Sequence, residues 1–491
     1  MRYGREKRRK INVLVLFVLA LLTSSFAGEA SLCRIHKVVW VGEHSAYDEA
    51  HLNLVEGSPC EAWKVAAARL ARHYEDKGFA AVQVIGKMHY GMGGASDTDT
   101  LGVLMVELKR GAGYVWAGAE NLDSSGTRTE VFRRLSGIEE GAPVSLTDLE
   151  RSERKLARLG YFEQTAPVRL FRDPARNRLV PAFSMKAARN SEAEGLLTYS
   201  SEDNLWEGQV NVKLYNILGT ARDLTLEGFT GENTRHLNFM YKEPWIFGSP
   251  WNVVLRGLFD EEIYSVTSDS LDGKMEDVTE RVAMGEIGVT RDIGFDWSIG
   301  IFFGMSEDDK HSTFELSYVS LDRFVLPRRG LRLEGSATWK MDRPDSLDNY
   351  LESHGKVLSY LPLFGNFISR WTGAAGGIFP TDASLKRSDY FALGGMDSFK
   401  GMGYRFMRSR AYGFSELALL WQDGYNLSIE VFYQPGLYRG FTPEHCWKRE
   451  QDYGMAFTQY RGNWSINLYY ALRNGENYLD GIIGFGLKTL F

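Results

Sequence analysis

Ile482-Ile483-Gly484-Phe485-Gly486-Leu487-Lys488-Thr489-Leu490-Phe491 places Ile483, Phe485, Leu487 and Phe491 on one alternating row and Gly484, Gly486 and Lys488 on the other. Successive side chains of a strand point to opposite faces, so the period is two. In a membrane barrel only the row facing lipid has to be apolar, because the lumen tolerates polar groups. The stretch therefore reads as the last strand of an outer-membrane β-barrel, with Phe491 as its C-terminal barrel signal.

The same period recurs upstream. Leu331, Leu333, Ala337 and Trp339 alternate with Arg332, Glu334, Ser336 and Thr338. Leu427, Ile429, Val431 and Tyr433 alternate with Asn426, Ser428, Glu430 and Gln434, and Trp464, Ile466, Leu468, Tyr470 and Leu472 stand against Ser465, Asn467 and Arg473. A soluble sandwich alternates in the same way. What decides for the membrane is the company this pattern keeps: aromatic strand ends, the terminal Phe491 and a secretory leader. Dividing residues 190–491 into strand-plus-turn units gives about sixteen antiparallel strands, and bacterial barrels favour even numbers. Composition agrees, with 28 Phe, 24 Tyr, 12 Trp and 51 Gly against 13 Pro. Aromatics anchor strands at the two interfaces, and glycine relieves crowding.

The leader is residues 1–27. Arg2, Arg5, Lys7, Arg8, Arg9 and Lys10 precede an apolar run at 11–22, and Ser25-Phe26-Ala27 offers a cleavage site. A run of about a dozen residues is too short to span roughly 30 Å of hydrocarbon, which fits a signal peptide. Leu32 before Cys33 sits where an acylated thiol needs a small neighbour, so lipidation is discounted. Cys33 and Cys60 are either a disulfide of an oxidising compartment or two buried thiols, and Cys446 is left over. A net charge of −6 with no basic stripe argues against nucleic acid as a partner.

Residues 31–188 mix helices with strands and fall into two units, 31–111 and 112–188. In the second, a strand at 114–117 precedes a helical stretch at 128–135. Ser145 then reads as an N-cap with Asp148 three residues on, and Leu146, Leu149, Leu156 and Leu159 lie near one helical face before Gly160. Strands at 167–171 and 179–185 flank an Asp173-Pro174 turn, giving the order β-α-α-β-β. The first unit repeats the plan with a strand at 34–41, a helix at 62–74 stopped by Gly78-Phe79, and a pair of strands at 82–88 and 101–108.

A helix that starts Pro143-Val144-Ser145-Leu146-Thr147-Asp148-Leu149-Glu150 and ends Leu159-Gly160-Tyr161-Phe162 resembles the POTRA domain of the outer-membrane protein insertase superfamily, the BamA- and TamA-like proteins. The resemblance covers 114–185 well and 33–109 loosely. It implies α+β periplasmic domains whose sheet edge accepts extended strands, followed by an all-β transmembrane barrel. Three barrel motifs extend it. Glu243-Pro244-Trp245-Ile246-Phe247-Gly248 is similar to the family's Glu-Pro-Trp strand end and turn, with Pro244 and Gly248 as its marks. Asp322, Pro327 and Gly330 match its Asp-x-x-x-x-Pro-x-x-Gly turn. Leu393-Gly394-Gly395-Met396-Asp397-Ser398-Phe399-Lys400-Gly401-Met402 resembles the Gly-Gly-x-x-Ser-Val-Arg-Gly-aromatic tip of the loop that folds into the lumen.

Two departures stand out at that tip. Lys400 replaces the family's Arg, and Gln434 replaces the Asp that receives it. A guanidinium forks onto a carboxylate whereas an ammonium is a point charge, so the latch is expected to be rebuilt. By parity Glu430 shares the inward face with Gln434, and Glu416 lies on an inward face as well; either can receive Lys400, and an unpaired Lys400 would be hydrated in a wet lumen.

No catalytic motif, cofactor loop or metal-spaced Cys/His cluster is present, and His36, His44, His51, His73 and His89 are scattered, so no enzyme, cofactor or metal is expected. The resemblance implies insertion of proteins at the outer membrane of a Gram-negative-type bacterium, with unfolded outer-membrane or secreted clients, periplasmic or inner-membrane accessory proteins and the lipid bilayer as partners. In that picture a weak seam between first and last strands templates the client. The alternatives are a two-partner secretion transporter for one dedicated polypeptide, which usually carries a plug helix for which 28–34 leaves no room, and a passive pore or receptor.

Overall fold

A computed structural model describes residues 33–92, 100–173, 175–188, 191–200, 205–267, 275–324, 326–344, 346–396, 398–423, 426–440, 446–461 and 464–490. The leader at 1–27, Asp397 and Phe491 lie outside the described residues. The chain divides into two units, one holding residues up to 115 with 142–147 and 173–179, the other holding the remainder.

In the first unit the strands Cys33–Val41, Gln83–Met92 and Thr100–Lys109 make a three-stranded sheet with the last at its centre, parallel to the first and antiparallel to the second. Helix Ala62–Glu75 turns Ala66, Leu70 and Tyr74 onto Ile35, Leu104 and Val106. A second helix, Ala46–Leu52, was not read from the sequence. Its signal was local: Ser45 and Asp48 form a capping box, with the Asp48 N–H donating to Ser45 Oγ and the Ser45 N–H to Asp48 Oδ2 at 2.8 Å. Asp48 is fully buried, receives the Tyr74 hydroxyl, and pairs with Arg110 at 3.1 Å. Cys33 and Cys60 form a disulfide, which settles the choice the sequence left open, and Cys446 is free and exposed.

Further along, helices Thr129–Ser136 and Leu146–Arg158 precede strands Phe162–Asp173 and Arg178–Ala187. The first of these strands begins five residues before the expected start at 167. Among the described residues Phe162–Asp173 pairs with Arg178–Ala187 alone, so it is an edge strand, the kind of place where a proline such as Pro167 is tolerated. The N-terminus of helix Leu146–Arg158 is met by Asp76, which accepts from the Thr147 N–H at 2.8 Å and from the hydroxyls of Thr147 and Ser145. Burial pushes the Asp76 carboxyl up, but these hydrogen bonds outweigh it and hold it below the usual carboxylate range.

From Glu192 the chain is a closed antiparallel barrel. Among the described residues sixteen long strands form it, and a three-residue strand, Phe391–Leu393, pairs beside the twelfth. The first five are Glu192–Ser200, Leu205–Ile217, Arg222–Thr230, Thr234–Glu243 and Trp251–Thr267. The eleventh to sixteenth are Phe367–Phe379, Met407–Gln422, Leu427–Gly440, Trp447–Arg461, Trp464–Arg473 and Ile482–Leu490. Along the thirteenth, Ile429, Val431 and Tyr433 are 42 %, 57 % and 47 % exposed while Ser428 and Gln434 are buried. A water-soluble protein does the reverse. The apolar row faces outward on the sixteenth strand too, through Ile483, Phe485 and Leu487. This is a barrel for which lipid is the outer solvent. Among the described residues no helix is long and apolar enough to cross a membrane.

The closure differs from the weak seam that the family resemblance implied. The first and sixteenth strands pair without interruption from Leu490↔Glu192 to Ile482↔Ser200, and Lys488 forms an ion pair with Glu192 inside it. In this state the seam is as continuous as its neighbours. Backbone groups left bare in hydrocarbon cost several kcal/mol each, so a barrel at rest has reason to keep them paired.

Candidate functional site

The site is built on the connection between the eleventh and twelfth strands, residues 380–406, which turns into the lumen. Gly394 and Gly395 have φ of +122° and +86°, a region that a side chain makes costly. The turn they allow is closed from within: the Gly394 N–H donates to Ser398 Oγ at 2.6 Å, and the Gly395 N–H faces the carbonyls of Phe399 and Met402 at 3.1 and 3.0 Å. Phe399 is fully buried against Phe414, Tyr412, Leu393 and Met402, so the loop carries its own apolar core.

Lys400 sits at the tip. Its ammonium lies 2.6 Å from Glu416 Oε2 and 3.7 Å from Glu430 Oε1. Arg370 of the eleventh strand completes the group, donating to Glu416 at 2.6 Å and to Glu430 through a second amino group at 2.8 Å. Two cations and two carboxylates thus form a neutral buried quartet, and the Phe432 ring stands 4.5 Å from the ammonium. Lys400 is only 8 % exposed, so the hydrated, unpaired cation considered from the sequence is replaced by a paired one. Desolvated charges are tolerable when their partners and hydrogen bonds are in place.

Gln434 serves the backbone rather than a cation. Its amide accepts from the Lys400 N–H at 3.2 Å and donates to the Ser398 carbonyl at 2.5 Å. A carboxylate could accept the first bond but could not donate the second. The two departures from the family pattern therefore fit each other: Gln434 clasps the loop's backbone, and the side-chain charge moves to Glu416, Glu430 and Arg370. Gly401 docks on Asp452, its N–H donating to Oδ2 at 3.0 Å, and a Cβ there would approach Oδ1 to 2.8 Å.

The two turn motifs lie together at the barrel end where the first strand begins. Gly330 has φ of +123°, and a Cβ on it would come within 2.7 Å of the Leu321 Cα. Asp322 Oδ1 accepts from the backbone of Arg328 and Arg329 at 3.0 and 3.3 Å, so the Asp closes the turn that the Gly permits. Pro327 lies within that turn. Pro244 directly follows the last residue of the fourth strand, and Gly248 ends the single turn Ile246–Gly248 with φ of +76°. At the same end Arg158 donates to Asp296 at 2.7 Å, and Tyr161 donates to Asp223 at 2.6 Å. Burial, then the Asp223 charge, pushes the Tyr161 hydroxyl well above its usual range, so it stays a donor.

Arg370 and Asp452 were not singled out in the sequence. An arginine on the inward row of a strand whose outward row carries Trp371 was the available signal, but its partners come from strands 46 and 60 residues away. Among the described residues no cluster of three or more metal-ligating side chains occurs.

Comparison with known proteins fits this geometry. A family model, the Omp85 superfamily domain, matches residues 304–435, the segment that carries the Asp322 turn, Arg370, the loop tip and Gln434. CdiB from Escherichia coli shares the fold at a TM-score of 0.57 and 12 % identity, covering 95 % of this chain and 92 % of that one. CdiB from Acinetobacter baumannii does so at 0.52 and 10 %, covering 98 % and 97 %. BamA from Haemophilus ducreyi lacking POTRA domains 1–3 superposes more loosely, at 0.44 and 14 %, over 93 % and 100 %. No curated protein matches the sequence. The segment that holds the loop and the Asp322 turn thus matches the Omp85 superfamily domain, within a sixteen-strand barrel that turns its apolar rows outward and shares the fold of CdiB.

Proposed function

We propose that this protein inserts client proteins into the outer membrane, its N-terminal modules lying in the periplasm as two POTRA domains and passing unfolded chains to the barrel. The observation that carries the reading is the docked loop: Lys400, Gly401 and Gln434 fix it inside the bore, so the state described here favours work at the barrel wall over passage through the lumen. The free edge of Phe162–Asp173 supports the first step. Among the described residues no strand pairs on its outer side, and that edge, with Leu170 and Phe171 exposed beside it, suits an extended segment of any sequence. At the wall, a client strand cannot enter hydrocarbon with bare amides. Exchanging pairs with the first or sixteenth strand would keep them satisfied throughout, and a more stable folded client supplies the driving force.

Export of one dedicated polypeptide is the rival reading, and it requires the loop to leave the lumen. Depleting the protein and profiling the outer-membrane proteome separates the two. Broad loss of β-barrel proteins supports insertion. Loss of a single secreted protein overturns it in favour of export, and a nutrient-specific growth defect overturns it in favour of a pore.

A further inference from the structure

The lumen loop is fastened on two sides of the bore, and the second fastening lies across the closure from the first. The tip is held by the twelfth, thirteenth and fourteenth strands through Glu416, Glu430, Gln434 and Asp452. On its way back to the twelfth strand the loop reaches the other wall. The Tyr404 N–H donates to Glu207 of the second strand at 3.2 Å, and the Tyr404 ring lies 4.0 Å from that of Phe229 on the third. Arg405 then forks onto Asp260 of the fifth strand at 2.8 and 2.5 Å, and the same guanidinium meets His236 of the fourth at 2.9 Å. Arg405 makes this fork from a backbone with φ of +54°, unfavourable for a residue with a side chain. Beside it Arg408 and Arg387 both pair with Glu262 of the fifth strand.

Between the two sets of anchors lie the fifteenth, sixteenth and first strands, and hence the closure itself. The sixteenth strand presents Gly484 and Gly486 toward the lumen and offers little side chain of its own there. The gap is filled largely from the loop and the fifteenth strand: Met396, like Leu196 of the first strand, packs on the cluster that holds Tyr469 of the fifteenth strand, Ile482 at the start of the sixteenth and Phe432. The space left among Thr198, Glu207, Met396, Met402, Tyr404 and Tyr469 is about 20 Å³, room for roughly one water, so the tip lies close against the inner face of the closure.

We propose that the loop is a tie across the barrel's closure, and that Arg405 with Asp260 is its second anchor, so that freeing Arg405 loosens the pairing of the first and sixteenth strands as well as the loop. A docked tie holds the two walls beside the seam at a fixed distance, and pairing between them is then the relaxed state. The tie stands whether the closure admits clients or never opens, so its test does not depend on the insertion reading.

The test is amide hydrogen exchange on the full chain in lipid, comparing the natural protein with Arg405→Gln. Protection at 193–199 and 483–489 is expected to fall about tenfold or more in Arg405→Gln, the loss of one charge-assisted fork, while 310–319 and 330–341 stay as they were. Lys310→Ala, which removes an exposed pair with Asp342, is expected to leave both regions unchanged. Should Arg405→Gln fail to assemble, Arg405→Lys keeps the charge, loses the fork, and is expected to give a smaller effect at the same amides. Deprotection of 394–406 with an unchanged closure overturns the tie, and so does an equal loss of protection around the whole barrel.

Discussion

Removing the Lys400 ammonium is the sharpest perturbation of the lumen loop, because the quartet it belongs to is neutral. Lys400→Ala leaves Glu416 and Glu430 sharing Arg370 alone, one net negative charge in a site where Glu416 is 2 % exposed. Deleting one partner of a buried ion pair costs about 3–5 kcal/mol, and with Arg370 still bridging both carboxylates the lower end applies. At 1.4 kcal/mol per factor of ten, about 3 kcal/mol shifts the balance of docked and undocked loop by roughly 100-fold. Planar-bilayer recording reads this directly as openings of the freed lumen, expected to be far more frequent than in the natural protein. Pairing the change with Glu416→Gln restores neutrality, so Lys400→Met with Glu416→Gln is expected to cost about 2 kcal/mol less than the two single changes summed. Unchanged conductance in Lys400→Ala, or a double variant no better than the sum of its parts, would refute the quartet as the latch.

Three other outcomes test separate parts of the structure. Burial raises the Asp48 carboxyl, but hydrogen bonds from Tyr74 and Ser45 and the Arg110 charge outweigh it and leave it below the usual range. A depressed folded pKa means the contribution is present above the unfolded value of about 3.9 and is lost as pH falls through the folded one. Exchange protection of residues 46–75 is therefore expected to drop in that acid window, and Asp48→Asn to be weaker at neutral pH and flat across the window. Reducing the Cys33–Cys60 disulfide, which spans 27 residues, is expected to destabilise the first unit by about 3.5 kcal/mol on the loop-entropy estimate, read as faster exchange confined to residues 33–109. Gly330→Ala forces a Cβ against Leu321 at a left-handed backbone and is expected to lower the temperature at which the folded band converts on a gel, with Asp322→Asn milder because the turn's glycine survives.

The barrel was legible because lipid imposes its own pattern: Ile429, Val431 and Tyr433 had to be apolar and Ser428 and Gln434 did not. The loop was legible because Gly394, Gly395 and Gly401 occupy places where a Cβ is strained or blocked, and the Asp322 turn because Asp322 and Gly330 shape one turn within nine residues. What a linear reading could not supply was register. Whether Lys400 meets Glu416 or Glu430, and that Arg370 joins both, depends on how three strands slide past one another. Asp76 meeting the start of helix Leu146–Arg158 is the same kind of fact, since the acceptor comes from about 70 residues earlier while Ser145 looked sufficient on the spot. The helix Ala46–Leu52 was a different failure. Its capping box was present in the sequence, but seven residues carry too little periodicity to register as a helix.

The central claim, that this barrel and its modules help other chains enter a membrane, is tested most directly with the purified full chain in lipid vesicles supplied with a urea-unfolded outer-membrane β-barrel protein. The account predicts that the client folds about tenfold or more faster than in empty vesicles, the effect of easing a barrier by about 1.4 kcal/mol, and that crosslinking the closure through Leu197→Cys and Phe485→Cys abolishes the gain. Folding at the empty-vesicle rate, or an acceleration that survives the crosslink, would contradict it.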